Sequence, residues 1–237
     1  MRIDKLLSQL KYGSRKEIHQ AIRQQRVKIN GQIINKSNLD VEPLKVNITF
    51  DEETVIYYPR VVLMYHKPSG VLSANKDIQH KTVFEAIKEP FHRFDLKIAG
   101  RLDLDAEGLM ILTDDGNLIH NIISPNKKVY KTYEVTTKHP VLNSDAIIKP
   151  MKIKDNRGRE YTPLKPLVVK REKNVVTIKI REGKFHQVKR MFEAIGHQVI
   201  HLKRTQIHNL TLDIPVNTYR MLTEDEIKKL VCKEDVE

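Results

Sequence analysis

The chain has no tryptophan, a single cysteine, nine glycines in 237 residues and a shortage of acids against bases. Each shortage excludes something. One cysteine, Cys232, leaves no partner for an intramolecular disulfide and reads as an incidental thiol of a reducing compartment. No apolar run approaches the roughly 18 residues needed to span a membrane. The opening Met1-Arg2-Ile3-Asp4-Lys5 lacks the apolar centre of a signal peptide, so the expected location is the cytoplasm, with no membrane partner. Internal repeats and low-complexity tracts are absent, and no oligomer signal is visible, so a monomer is expected.

What is present in excess is positive charge: 42 Lys and Arg against 30 Asp and Glu, a formal net charge of +12. Such a balance favours a polyanionic partner, since each neutralised phosphate releases counterions. The charge is unevenly placed. Residues 1–36 hold nine bases and two acids, whereas residues 37–56 hold one base and five acids. That reversal marks a basic patch followed by a boundary. Ile3, Leu6, Leu7 and Leu10 fall at helical spacing, Gly13 stops that helix, and Ser14 suits the N-cap of a second with Ile18, Ala21 and Ile22 on its apolar face. Val27-Lys28-Ile29, the Asn30-Gly31 turn and Ile33-Ile34 read as a hairpin, and 46–50 as a further strand. Residues 1–56 thus form a small module, and 51–60 read as a linker.

From residue 60 to 237 the pattern is richer in strands. Strands are expected at 61–65, 108–113, 132–136 and 175–180, and helices at 82–87, 118–123, 186–195 and 224–231. No regular crossover helices separate the strands, which argues for an α+β domain with a mostly antiparallel sheet.

Three segments could carry chemistry. Asp103, Asp105 and Glu107 alternate in Gly100-Arg101-Leu102-Asp103-Leu104-Asp105-Ala106-Glu107-Gly108 and would share one face of an extended segment. A carboxylate beside Arg101 is favoured as the anion and can serve as a nucleophile. Asp114 and Asp115 sit at a turn, where Asp usually serves the backbone. Residues alone do not choose among these five acids. The second segment is Glu182-Gly183-Lys184-Phe185-His186-Gln187-Val188-Lys189-Arg190-Met191-Phe192, a turn leading into a helix with adjacent bases, more often a solvated face than a site. The third is Tyr130-Lys131-Thr132-Tyr133-Glu134-Val135, an aromatic within a strand, where ordinary sheet packing is the common role.

In this order and at these separations the three segments resemble the pseudouridine synthase superfamily, in the RsuA-type branch that modifies small-subunit ribosomal RNA. Ala106 stands where relatives often have Thr, and Phe185 where Tyr is common. The N-terminal module resembles the RNA-binding domain shared with a ribosomal small-subunit protein, through Arg2-Ile3-Asp4-Lys5-Leu6-Leu7, Gly13-Ser14-Arg15-Lys16-Glu17-Ile18 and Arg26-Val27-Lys28-Ile29-Asn30-Gly31.

The resemblance implies an α+β fold of that module plus a mixed, mostly antiparallel catalytic domain. It implies isomerisation of a ribosomal RNA uridine to pseudouridine, without cofactor or metal. Asp103 is then the nucleophile, Tyr133 the residue stacking on the target base, and Lys189 or Arg190 the cation paired with Asp103. Arg101 and Lys67, in the Lys67-Pro68-Ser69-Gly70 turn, would face RNA near the cleft, and Arg2, Lys5, Ser14, Arg15, Lys16 and Lys28 would face it in the module. The helix-opening amides at Ser14, with Arg15 and Lys16, suit a phosphate.

Other readings compete with this one. They are an RNA-binding ribosome-assembly protein without catalysis, a large-subunit enzyme of the same family, a sugar hydrolase using Asp103 with Glu107, and a metalloenzyme. The basic charge and the lack of tryptophan weigh against the hydrolase, and His197 and His201 lack a zinc-site context.

Overall fold

The computed structural model describes residues 1–142 and 144–231; Cys232 lies outside them. The chain divides into two compact units, Met1–Val61 with Ile87–Leu96, and Val62–Ala86 with Lys97–Glu237.

The first unit opens with α1 (Ile3–Gln9) and α2 (Arg15–Arg23). Strands β1 (Val27–Ile29), β2 (Gln32–Ile33), β3 (Ile48–Phe50) and β4 (Glu53–Thr54) form an antiparallel sheet in the order β2-β1-β3-β4. The apolar faces read from spacing are buried: Ile3, Leu6, Leu7, Ile18, Ala21, Ile22 and Val27 are at most 1% exposed. The stretch 51–60 is more than a linker. It contains β4, and Tyr58 packs on Phe91 and Phe94, with ring centroids 5.7 and 5.9 Å away. The segment 87–96, which sequence reasoning puts with the larger domain, therefore belongs to this unit, where Lys11 Nζ also donates to the carbonyls of His92 and Phe94.

The second unit is built on a nine-stranded sheet. Its strands are β5 (Val62–Lys67), β6 (Lys97–Ile98), β7 (Glu107–Thr113), β8 (Lys131–Thr137), β11 (Leu167–Glu172), β12 (Val175–Ile180), β13 (Val199–Ile207), β14 (Leu210–Thr211) and β15 (Tyr219–Met221). Between β8 and β11 in the chain, β9 (Ile153–Lys154) and β10 (Glu160–Tyr161) make a separate hairpin. The main order is β11-β12-β8-β13-β7-β5-β15, with β6 on β7 and β14 on β13. Every pairing is antiparallel except β13 with β7. All six residues of β5 are buried, as expected of a continuous apolar strand covered on both faces.

Helices α3 (Gly116–Ile123) and α5 (Glu224–Lys228) join a core of Val62, Met64, Leu109, Ile111, Leu118, Ile122, Ile207 and Ile227. Asp115 caps α3, accepting from the amides of Asn117 and Leu118, the backbone role expected of an Asp at that turn. Helix α4 (Gln187–Ala194) buries Val188, Met191 and Phe192 on one side and presents its bases on the other.

One close approach fixes the sheet centre. Gly108 on β7 lies opposite Arg204 on β13 at φ +124°, and a Cβ there would stand 2.3 Å from the Arg204 carbonyl oxygen. Glycine alone fits this parallel crossing.

Candidate active site

The segment Gly100–Ala106 runs from β6 to β7 as a turn, with the Ala106 amide bonded to the Asp103 carbonyl. All seven of its carbonyls are hydrogen-bonded. Arg204, 2% exposed, donates to those of Gly100, Arg101 and also Leu109. Ser73 Oγ donates to Leu102 O at 2.7 Å, and the Gly70 amide to Leu104 O at 2.8 Å. Ser69 Oγ donates to Asp105 O. The fully buried Lys67 ammonium donates to the carbonyls of Pro68, Leu104 and Ala106, at 2.9, 3.1 and 2.7 Å. Burial pushes the Lys67 amine down to about 8, against the opposing pull of Asp105 and Asp103.

Lys67 is thereby corrected from an RNA contact to a buried clamp, because its charge is spent on three carbonyls and none of its surface reaches solvent. The clamping role of Lys67, like Arg204 and Ser73 altogether, has no local pattern in the sequence, since each acts through distant backbone.

The turn directs Asp103 into a cleft of about 600 Å³ that is also lined by Arg101, Tyr133, Asn156 and His186. Its volume suits a small-molecule or single-nucleotide occupant. Tyr133, 6% exposed, enters from β8, where it lies in register between Ile178 of β12 and Arg204 of β13. Arg101 is exposed.

Helix α4 supplies the cations. Lys189 Nζ stands 3.5 Å from Asp103 Oδ2 and 2.5 Å from Asp105 Oδ1. His186, in the left-handed conformation at φ 51°, puts Nε2 3.6 Å from Asp103 Oδ1. Arg190 turns elsewhere and donates to the Lys154 carbonyl of the β9–β10 hairpin. The split follows from helix geometry: positions three apart share a side, whereas consecutive ones point about 100° apart. Of the two bases that the sequence leaves open, Lys189 is the one beside Asp103.

The expected sharing of one face by three acids is not found, because the segment turns after Asp103. Asp105 stays with Lys189; burial tends to raise its carboxyl, but the Lys189 hydrogen bond and charge prevail and lower it. Glu107 lies on β7 with His66 Nε2 at 2.9 Å, Lys203 Nζ at 2.9 Å and His201 Nε2 at 3.3 Å, which removes it from any pairing with Asp103.

In the first unit the basic residues separate into two groups. Lys5, Arg15 and Lys16 are exposed and have no ion-pair partner among the described residues. Arg2 forms a two-bonded pair with the buried Asp4, and Lys28 pairs with Glu52 at 2.6 Å. At Ser14, where a phosphate is expected, the helix start carries a capping box. Ser14 Oγ accepts from the Glu17 amide, and the Glu17 carboxylate accepts from the Ser14 amide at 2.7 Å. The pair takes up the amides of Ser14 and Glu17 and sets a carboxylate at the helix start, which disfavours a second anion there. Beside it, Arg2, His19, Arg23, Asn35 and Lys36 line a shallow polar hollow that was not singled out in the sequence. Among the described residues, no helix is long and apolar enough to cross a membrane.

Comparison with known proteins agrees with this architecture. Residues 61–194 match the RNA pseudouridylate synthase family and residues 1–43 the S4 domain. The chain is 38% identical over 234 residues to the uncharacterized RNA pseudouridine synthase YtzG of Bacillus subtilis (strain 168), covering 97% of this chain and 98% of that one. It is 36% identical over 236 residues to the ribosomal small subunit pseudouridine synthase A of Escherichia coli (strain K12), covering 98% and 100%. A solved crystal structure of a pseudouridylate synthase superposes with a TM-score of 0.67 at 34% identity, covering 98% of this chain and 100% of that one. The chain belongs to the RNA pseudouridylate synthase family, as an RNA pseudouridine synthase with an S4 domain at its N-terminus.

Proposed function

We propose that this enzyme isomerises one uridine of small-subunit ribosomal RNA to pseudouridine, with Asp103 as the nucleophile and Lys189 as its paired cation. The observation that carries the reading is the Asp103 carboxylate in the cleft, 3.5 Å from the Lys189 ammonium, with Tyr133 on the same wall. The likeness to ribosomal small subunit pseudouridine synthase A over nearly the whole chain supports the choice of RNA.

The reaction breaks the C1′–N1 bond and forms a C1′–C5 bond within the same nucleotide. The C5 proton leaves and N1 gains one, so atoms balance with no redox change and no added group. The uridine must first leave the base stack, at a cost of about a few kcal/mol. Stacking on Tyr133 and phosphate contacts from Arg101 and the first unit offset that cost. The Lys189 ammonium, 3.5 Å from Asp103 Oδ2, helps to hold the carboxylate that attacks. The cleft walls keep the detached uracil beside the sugar while it turns.

The test is pseudouridine mapping of ribosomal RNA from cells with and without the gene, complemented by wild type or Asp103→Asn. One small-subunit pseudouridine should vanish and return only with wild type. Loss of a large-subunit site would keep the enzyme and change its RNA. Full restoration by Asp103→Asn would remove Asp103 from the chemistry.

A further inference from the structure

The turn of the β9–β10 hairpin brings Asn156, an exposed residue, to the lining of the Asp103 cleft. Its turn is braced from within. Asp155 Oδ1 accepts from the amides of Arg157 and Arg159 at 2.8 and 2.9 Å, and Asp155 Oδ2 accepts from Arg159 Nε at 2.8 Å. It is also anchored from outside by the segment that carries Lys189. Arg190 donates to the Lys154 carbonyl, the Lys184 ammonium lies 3.7 Å from the Tyr161 ring centroid, and buried Glu182 accepts from the Leu164 amide at 2.6 Å. One stretch of chain therefore fixes both the cation beside Asp103 and the position of Asn156.

The cleft's other carboxamide, Gln187, is already committed: its Oε1 accepts from the Lys184 amide and its Nε2 donates to Glu182. The Asn156 side chain has no hydrogen-bond partner among the described residues. A carboxamide sets a donor beside an acceptor. The edge of uracil sets the N3–H donor beside the O4 acceptor, which is the complementary pattern. Flipped bases are read along this edge.

We propose that Asn156 is a binding residue for the target base that hydrogen-bonds the Watson–Crick edge of the flipped uracil, Nδ2 donating to O4 and Oδ1 accepting from N3–H. The proposal rests on the reading that the Asp103 cleft receives the target nucleotide. Arg190, Lys184 and Glu182 act as positioning residues by holding the hairpin that carries Asn156.

The test uses the full chain and a short RNA transcript spanning the mapped uridine, with a counterpart bearing N3-methyluridine at that position. Asn156→Ala should raise KM about tenfold with kcat within about twofold, the effect of one lost pair of hydrogen bonds. N3-methyluridine is the sharper probe, because it deletes the donor that Oδ1 would accept from and leaves the charge of the RNA unchanged. In the Asp103→Asn background, where uridine is not consumed, the methyl group should weaken affinity about tenfold with Asn156 present and much less in Asn156→Ala. Unchanged KM in Asn156→Ala and an equal penalty from the methyl group with and without Asn156 would overturn the assignment. Turnover by Asp103→Asn alone would instead overturn the reading of the cleft, so the two failures are distinguishable.

Discussion

The Lys189 ammonium stands 3.5 Å from the Asp103 carboxylate and at the same time holds Asp105 at 2.5 Å. One cation thus serves two acids, and removing it leaves both carboxylates without their lysine partner. Lys189→Met keeps the length of the side chain and deletes the charge. Single-turnover rates on the RNA transcript should fall roughly a hundredfold or more, while far-ultraviolet circular dichroism stays that of wild type. Arg190→Met should leave the single-turnover rate at saturating RNA within about tenfold of wild type, since Arg190 bonds to the Lys154 carbonyl instead. Equal losses in the two variants would contradict this division of labour.

Acid should destabilise the fold in a defined window. Burial alone would raise the Glu107 carboxyl, but hydrogen bonds from Lys203 and His66, the Lys203 charge and a hydrogen bond from His201 bring it down from 4.5 to about 2. A carboxyl that is more acidic folded than unfolded contributes fully above pH 4.5, and its contribution is lost as pH falls from 4.5 toward 2. Urea unfolding at pH 5, 4 and 3 should show that decline, and Glu107→Gln should flatten part of it, about 2–3 kcal/mol. Asp4 and Glu226, both held at about 2, keep the remainder. A Gln variant with the full wild-type slope would show that Glu107 gains nothing from its three partners.

Gly108→Ala should be severe. Its Cβ would meet the Arg204 carbonyl oxygen at 2.3 Å and amide nitrogen at 2.5 Å, on a backbone with φ +124°. Strands β7 and β13 must separate, and the Arg204 bonds to Gly100, Arg101 and Leu109 go with them. A loss of about 3 kcal/mol or more is expected, read as a lower Tm or loss of soluble protein. A wild-type Tm would mean that the crossing can open without cost.

RNA binding by the first unit should depend on its unpaired cations. Replacing Lys5, Arg15 and Lys16 together by Ala should reduce the salt dependence of affinity by about one per cation, measured by fluorescence anisotropy across a salt series. Lys28→Ala should change the slope less, because Lys28 already pairs with Glu52. Identical slopes for the triple variant and wild type would place the RNA elsewhere.

These expectations mix what the sequence discloses with what only folding reveals. Alternation gives β12 with its bounds, apolar spacing gives α4 to within one residue at each end, and it gives the existence of α1 and α2 with the Ser14 start of the second. The nine-residue β13 is hidden because irregular register at Val199/His201 and Arg204/Gln206 breaks its alternation. The β9–β10 hairpin is hidden because two-residue strands carry no period. In the site, Asp103, Tyr133 and Lys189 are named through the family motifs, and the fold brings Asp103 and Tyr133 to one cleft with Lys189 beside Asp103. Lys67 misleads because a lysine at a turn is ordinarily exposed, and its burial depends on Leu104 and Ala106, far along the chain. Ser14 carries a second signal: the Ser-x-x-Glu spacing is itself a capping signature, and the Ser14 side chain is engaged in that cap.

The seven bonded carbonyls of Gly100–Ala106 also bear on how this enzyme can diverge. The loop is held by its main chain, from Lys67, Ser69, Gly70, Ser73 and Arg204, so its path does not depend on which side chains it displays. Asp103 then keeps its place while the side chains around it change, so a change of target site can be written in side chains without moving the loop.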